Sequence, residues 1–534
     1  MRNLVIGSGP AAAGVALALA QAPDQQISLI DIGLRLEQPN ALALTAMISA
    51  ERDGWTDGQV QTISRHPVAG AEGRIPQKRA YGSDFPFRDV GQLNGVTAQP
   101  GANGSAISGA YGGFSNVWGA QMTPFTEAAF RDWPISWESM EQHYRSILRE
   151  VPLAAQRDDL EDYFPLLVEP SDDRALPPLN PRFERLLRRY EANREQIRAA
   201  GVTLGRARLA LRSDRCVRCG LCMTGCPYGL IYSASQTFDR MVASGRVAYR
   251  GGILATKVGE SDLSSSVEGT ELSTGKHVSF EADRVFVAAG PLGSTRIALA
   301  SMKNPPTGVT FGESSQFAVP FASMRSLGDP RRRMDDFTLN QANVVVAMDE
   351  DAWSLAQIHL YPYNPAMLGA LPAQLRPRVA SPLAGALLGR LTVGLGYLPS
   401  WASPQVTVHV RDRGVDGRPR LEVAHTGQPR PPMLDAVLSR LSKVGGTLDF
   451  RPIGHMTELS GSGKSYHFGG SFPHRADGGL DDKSSDLYGR VRGWRRTHIV
   501  DSAVFPTVPA TTFTLTVMAN AHRIASGLIG NGAV

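Results

Sequence analysis

Short apolar runs alternate with stretches of helical period at the two ends of this chain, and the middle follows a different rhythm. Leu4-Val5-Ile6 and Ile27-Ser28-Leu29-Ile30 have the length and apolarity of buried parallel strands. Between them, Ala13–Ala22 reads as an alanine-rich helix. Val285-Phe286-Val287-Ala288-Ala289 is a further buried strand closing on Gly290, with a helix from Ser294. His498–Asp501 repeats the pattern of a strand ending on an acid, and a helix from Val517 to Ile529 follows. Trp133–Val151 is amphipathic and is entered through Pro134 and Ser136. Asn180 to Gly201 has a good N-cap, a proline in the first turn and a glycine stop. Phe238–Val242 reads as helix, and Val247–Val258 as one strand with a glycine bend. From Phe317 to Thr447 the period falls to two. Phe337–Met348, Ser354–Tyr361, Gln405–Val410 and Arg420–His425 alternate as antiparallel strands do. Asp53–Pro100 is rich in glycine, proline and charge and reads as irregular. Ala366–Leu398 is apolar and poor in acids, and Pro372, Pro377 and Pro382 cut it into short pieces. That stretch predicts buried lid helices over a pocket, with a membrane or partner face as the alternative. Together the patterns predict an α/β domain on a parallel sheet and an α+β domain on an antiparallel sheet.

The link between the first two strands carries chemistry. Gly7-Ser8-Gly9-Pro10-Ala11-Ala12 fits G-x-G-x-x-G/A, with Ala12 in the third place and Gly14 just beyond. Gly7 permits the tight turn, Gly9 lets backbone approach a pyrophosphate, and Ala12 lets the helix lie close to the strand. Pro10 and Ala11 open the helix, whose N-terminus faces the phosphates. Asp31, at the end of the second strand, is placed to hydrogen-bond a ribose. The set predicts a bound dinucleotide of the Rossmann type.

Composition narrows the partners. At 534 residues the chain is too long for one simple core. A net charge of +5 over that length, without a basic stripe carrying aromatics, gives no reason to expect nucleic acid. Arg331-Arg332-Arg333 beside Asp335 and Asp336 reads as a solvated turn. No uncharged apolar run reaches the length of a membrane span. The first strand begins almost at once, leaving no room for a signal peptide, so a cytoplasmic location is expected. All four cysteines lie between Cys216 and Cys226, which excludes a scattered disulfide framework.

Gly101–Gly119 holds six glycines interleaved with Ile107, Tyr111, Phe114, Val117 and Trp118, a composition suited to lying flat against a large ligand. Four stretches, Gly7–Asp31, Gly112–Phe125, Val285–Thr295 and His467–Ala521, together resemble the glucose–methanol–choline (GMC) family of FAD oxidoreductases. Gly113-Phe114-Ser115-Asn116-Val117-Trp118 is most similar to the pyranose-oxidase branch. The resemblance implies a discontinuous FAD-binding domain (1–125, 202–305 and 460–534) and a substrate-binding domain (126–201 and 306–459), with a cysteine-rich loop at 214–228. It implies cofactor contacts from Gly113, Ser115, Asn116, Val117, Val258, Ala289, Gly290, Asp501, Thr512, Phe513 and Thr514, besides the Gly7–Asp31 set. Where a histidine can carry the flavin covalently, this chain has Val117, so non-covalent FAD is expected. The family's catalytic histidine corresponds to His467, in Tyr466-His467-Phe468-Gly469-Gly470. Its second catalytic residue, Asn or His, corresponds to Thr512. Threonine can donate or accept a hydrogen bond but cannot be a base near neutral pH, so the proton falls to His467. His455, His359 and Tyr361 are expected in core or surface roles, with lining the pocket as the alternative. The function implied is oxidation of a CH–OH group, in a sugar or glycoside by the branch resemblance. The apolar 366–398 stretch suits a lipid or sterol alcohol equally, with a structural metal in the cysteine loop. A non-catalytic flavoprotein electron-transfer subunit is the reading from another class.

Cys216-x-x-Cys219-x-x-Cys222-x-x-x-Cys226-Pro227 has the spacing of bacterial ferredoxins. Either all four thiolates hold one cluster, or three hold it and Cys226 is spare, giving a [4Fe-4S] or a [3Fe-4S] centre. Zinc is the rival, although its structural sites usually separate two cysteine pairs by a longer loop. In the family, the stretch before Tyr232-Ser233-Ala234 lies on the substrate side of the flavin. A redox centre there implies a dehydrogenase with an external acceptor, such as a one-electron carrier protein.

Overall fold

The computed structural model describes residues 1–65, 78–88, 96–98, 107–169, 175–330, 336–362, 384–413, 419–424, 430–461, 463–476 and 481–530. Its first sheet is parallel, in the order Thr497–Ile499, Arg284–Val287, Arg2–Ile6, Gln26–Ile30, Val247–Arg250. Ile6 stands opposite Ile30 on one side and Val287 on the other, and Ile499 stands opposite Val287. That register brings Gly7, Asp31 and Ala288 out along one edge, the carboxyl edge where open α/β sheets bind ligands. The central strands are almost wholly buried, as a parallel sheet covered on both faces requires. The helix after the first strand spans Pro10–Leu19. A methyl group on its Gly14 would lie 2.2 Å from the carbonyl oxygen of Met518, so this is where the C-terminal helix, Thr514–Gly530, crosses it.

A second sheet is antiparallel and runs Gln316–Ala322, Leu391–Tyr397, Leu355–Tyr361, Ala342–Ala347, Val202–Arg206. One face, with Phe317, Phe321, Val344 and Ile358, packs on Leu434, Val437 and Leu441 of the helix Pro432–Leu448. Strand alternation turns Gln357, His359 and Tyr361 to the other face. A smaller sheet carries Phe468–Gly469 beside Gly308–Glu313, followed by Val406–Arg413 and Pro419–Ala424. This is the α/β plus antiparallel architecture that the patterning predicts.

Several details differ from the sequence reading. In the stretch expected to form lid helices, Ala384–Leu388 is a short helix, yet Leu391–Tyr397 is a strand. Its Gly394 and Gly396 make room for Phe321 and Phe317, since a methyl group on Gly396 would lie 2.1 Å from the Phe317 ring. The rest of that stretch through residue 383 lies outside the described residues, as do Arg331–Asp335, Gly101 and Gly104. Val247–Val258 is two strands in different sheets, parted at Gly252, whose φ is +75°. The Asn180–Gly201 helix breaks at Asn193 into Pro181–Ala192 and Arg194–Ala199. Val202–Arg206, grouped by resemblance with the FAD-binding segments, pairs with Ala342–Ala347 in the antiparallel sheet. Asp57–Ser64, in a stretch read as irregular, is a helix held by a Thr56–Gln59 capping box. No helix among the described residues is long and apolar enough to cross a membrane.

Candidate active site and cysteine loop

A cavity of about 480 Å³ is lined by residues of both main sheets. On the parallel-sheet side it meets Gly7, Ser8, Gly9, Pro10, Ala11 and Asp31, then Ala289, Gly290 and Asp501. Gly7 has φ +94°, and a methyl group there would lie 2.5 Å from the Ala288 carbonyl oxygen, so only glycine makes this turn without displacing the neighbouring strand end. A methyl group on Gly9 would meet nothing within 4 Å, so the backbone there faces open space. No side chain caps the helix that starts at Pro10, and its first-turn N–H groups remain for an anion. Gly113, with φ +60°, brings a second glycine segment against the Gly9 Cα. Ser115 and Val117 line the cavity beside it, while Asn116 ties the turn together, donating to the carbonyls of Tyr111 (3.0 Å) and Gly113 (2.8 Å).

Two serine–aspartate pairs fix this edge. Ser8 Oγ donates to Asp31 and accepts from the Gly112 N–H at 2.9 Å. Ser294 Oγ donates to Asp501 and accepts from the Ala289 N–H at 3.1 Å. Burial pushes the Asp31 carboxyl up to about 7 and the Asp501 carboxyl up to about 6, against the pull of their serine partners. Each pair links a strand end to a distant glycine segment, giving a narrow, rigid slot with open backbone at its floor. A dinucleotide fits such a slot. Ala12 is fully buried behind it, and Val258 lies off the cavity, where its N–H donates to Ser301 Oγ at 2.9 Å. Ile253–Thr256, on the same strand, line the wall instead.

The opposite wall is aromatic: Phe87, Phe114, Tyr361, Tyr397, Tyr466 and Phe513. His467 lies against Tyr397, with ring centroids 4.7 Å apart and planes at 24°, and against Phe513 at 4.9 Å. Its Nδ1 is buried without a hydrogen-bond partner among the described residues. Burial pushes the imidazole down to about 4, so near neutral pH it is uncharged and keeps a ring lone pair. The loop that presents it is held from below by the buried Glu313, which accepts from the Gly463 N–H (2.8 Å) and Ser465 Oγ (2.7 Å). Ser465 Oγ in turn accepts the His467 N–H at 3.1 Å. Tyr466, at φ +56°, packs on Phe87 and Phe114 at 5.8 and 5.2 Å. Such a residue costs about 1–3 kcal/mol and persists where its surroundings over-determine it.

Thr512 is buried but turned off the cavity. Its hydroxyl is 3.2 Å from that of Thr123 and reaches the Gln121 carbonyl at 3.4 Å. Its neighbours Phe513 and Thr514 line the cavity in its place. Tyr361, expected in a core or surface role, lines the cavity, His359 is buried behind Tyr397, and His455 is exposed. Glu313, Tyr397 and Lys78 were missed from the sequence. Nothing local marks them, because each acts through a partner far away in the chain. Lys78 lines the cavity and donates to the Trp118 carbonyl at 2.7 Å, and burial pushes it down to about 8.

The cysteine loop begins where that cavity wall ends, since Met223 lines the cavity and Cys222 is buried next to it. Left-handed turns at Arg218, Gly220, Gly225 and Gly229 fold the loop back on itself. The four thiols are unpaired and lie within electrostatic reach of one another, and backbone N–H groups of Arg218, Leu221, Tyr228 and Leu230 point at them. Burial pushes Cys219 up to about 12 and Cys226 up to about 11, so ligation there must release protons. Among the described residues, no group of three or more His, Cys, Asp or Glu side chains is arranged to hold a single metal ion. The four thiols share one loop. Their chemistry and the N–H groups aimed at sulfur fit an iron–sulfur cluster. Tyr81 buttresses the loop, its hydroxyl donating to the Cys226 carbonyl at 3.1 Å, and Thr338 Oγ1 donates to the Gly220 carbonyl at 3.0 Å.

Residues 211–232 match the family model described as a 4Fe-4S binding domain. No curated protein matches the sequence. Among solved structures, the chain is similar to pyridoxine 4-oxidase from Mesorbium loti, with 13% identity, 99% of each chain covered and a TM-score of 0.59. The likeness is one of fold.

Proposed function

We propose that this protein is an FAD-dependent dehydrogenase that oxidises a CH–OH group and passes the electrons to an external acceptor through a cluster held by Cys216, Cys219, Cys222 and Cys226. The observation that carries the reading is the placement of an unengaged, neutral imidazole, His467, in the same cavity as the Gly7–Gly9 turn. When bound, FAD supplies the two-electron acceptor, and an iron–sulfur centre supplies a one-electron exit. FAD would be held without a covalent bond by Gly7, Gly9, Pro10, Ala11, Asp31, Gly113, Ser115, Val117, Ala289, Gly290 and Asp501, with Phe513 and Thr514 closing over it.

The chain's own part follows from its geometry. His467 takes the hydroxyl proton at a ring nitrogen, and the Tyr397 and Phe513 faces fix the plane of that ring. Glu313 and Ser465 hold the backbone that carries it. The aromatic walls exclude water and accept the flat face of a ring, which suits a sugar or glycoside alcohol. Thr512 orders the backbone of Gln121 and adds no base. The segments 1–125, 202–305 and 460–534 would serve the cofactor, and 126–201 and 306–459 the substrate, with Val202–Arg206 as an exchanged strand. Four cysteines clustered on one loop, with none placed for a scattered disulfide framework, suit a reducing, cytoplasmic setting.

The test is an anaerobic screen of sugars, glycosides and other alcohols for bleaching of the flavin in the purified holoenzyme. A yellow protein that no alcohol bleaches, with its flavin reducible by dithionite, would overturn the enzymatic reading in favour of an electron-transfer subunit. Acid precipitation should leave the flavin in the supernatant.

A further inference from the structure

The surface over the cysteine loop is unlike the rest of the site. Within residues 211–232 the only charged side chains are Arg212, Asp214, Arg215 and Arg218, and all four are exposed. Arg212 is anchored by a hydrogen bond to the Gly229 carbonyl at 3.1 Å, so its charge sits at the foot of the loop. Arg218 stands between Cys216 and Cys219 on a left-handed residue, close enough for its charge to act on the Cys216 thiol. Arg215 directly precedes Cys216. Arg52 arrives from elsewhere in the chain and donates to the Val217 carbonyl at 3.4 Å. Among the described residues, no ion pair engages Arg212, Arg215 or Arg218. At the centre, Val217 is an exposed apolar side chain, at 40%. An apolar centre with a rim of three arginines against one aspartate, set beside the cysteine loop, is the form of a transient docking surface steered by net positive charge.

We propose that Arg212, Arg215 and Arg218 form the docking site for a small acidic one-electron carrier protein, seated on Val217 directly over the cluster. This rests on the electron route proposed above. The balance is closed: one alcohol loses two electrons and two protons and becomes a carbonyl, two oxidised carriers each leave with one electron, and the protons pass to solvent. Carboxylates on the carrier balance the net positive charge that three arginines leave over the single Asp214. The surface would capture partners fast at low ionic strength and release them readily, as a carrier visited twice per turnover requires.

Binding to the intact oxidised holoenzyme tests this without a known substrate. The probes are an acidic plant-type [2Fe-2S] ferredoxin and the basic mitochondrial cytochrome c, each followed by fluorescence anisotropy at low and high salt. The ferredoxin should bind at least tenfold more tightly than the cytochrome and lose affinity as salt rises. The triple variant R212Q/R215Q/R218Q should weaken ferredoxin at least tenfold and flatten its salt dependence, with flavin and iron contents unchanged. Equal binding of ferredoxin by variant and wild type, or tighter binding of cytochrome c, would overturn the proposal. Iron and acid-labile sulfide measured on the same samples separate the two failures. Their absence removes the electron route, whereas their presence without charge-selective binding removes only the docking site.

Discussion

Cys216–Cys226 carries its four thiols on one continuous stretch, folded by its own left-handed turns. His467 depends on groups that come from Glu313, Tyr397, Ser465 and Phe513. The first site is exposed at its outer rim, and the second lies inside a cavity walled by two sheets. The contrast shows how local and assembled chemistry fail differently. A loop of local ligands loses its metal when one side chain changes and leaves the cavity intact. An assembled site survives the loss of a remote contact but is silenced by removal of the group that moves the proton.

The largest expected effect lies on the assembled side. His467→Ala should slow anaerobic flavin reduction by roughly 10²–10⁴, the range for loss of a general base, with flavin content unchanged. Reduction at a near-normal rate would show that another group takes the proton, and His359 behind Tyr397 is the first to examine. On the local side, Cys222→Ser should lower iron content and cut turnover with a one-electron acceptor at least tenfold. Substrate should still bleach its flavin. Normal turnover in that variant would make the loop structural and dissolve the contrast.

Acid should strain the whole molecule. Burial pushes His143, His359 and His474 down to about 3 and His467, His498 and His522 down to about 4, from 6.5. Between about pH 6.5 and 4 the unfolded chain binds protons that the folded one refuses, so stability falls as pH falls through that window. Asp31 and Asp501 work the other way, because their raised carboxyls bind protons in the folded state first. Six imidazoles outweigh two carboxyls, so the melting temperature should drop from pH 7 to pH 5. A flat or rising profile would mean that these rings are not closed to protons. Smallest of all, Thr512→Val should cost about 1 kcal/mol of stability, one net hydrogen bond, and change flavin reduction by less than about tenfold. A loss as large as that of His467→Ala would restore Thr512 to the centre of the chemistry.

The same contrast explains what could be read from the sequence. Gly7–Asp31 and the cysteine spacing are local, each residue required by a turn or ligand within its own segment, and the structure shows both as tight turns with left-handed glycines. The parallel strands were legible because burial on both faces leaves unbroken apolar runs. Leu391–Tyr397 was not, because its glycines exist to admit Phe317 and Phe321 from a neighbouring strand, and a glycine-spaced apolar run carries no clear period. Glu313 and Lys78 were invisible for a related reason. A carboxylate whose role is to hold residues 463–465 looks, in one dimension, like any strand acid.

The crossing of the first and last helices at Gly14 has a consequence for biosynthesis. The N-terminal helix cannot find its neighbour until Met518 has left the ribosome. At about 5–20 residues per second, roughly 25–100 s separate the emergence of the two. Through that interval the nascent chain holds an incomplete parallel sheet whose outer strand, Thr497–Ile499, has yet to be made. Folding of the parallel sheet is thus deferred until these late residues are made, and a growing polypeptide with exposed strand edges is the species that chaperones must shelter.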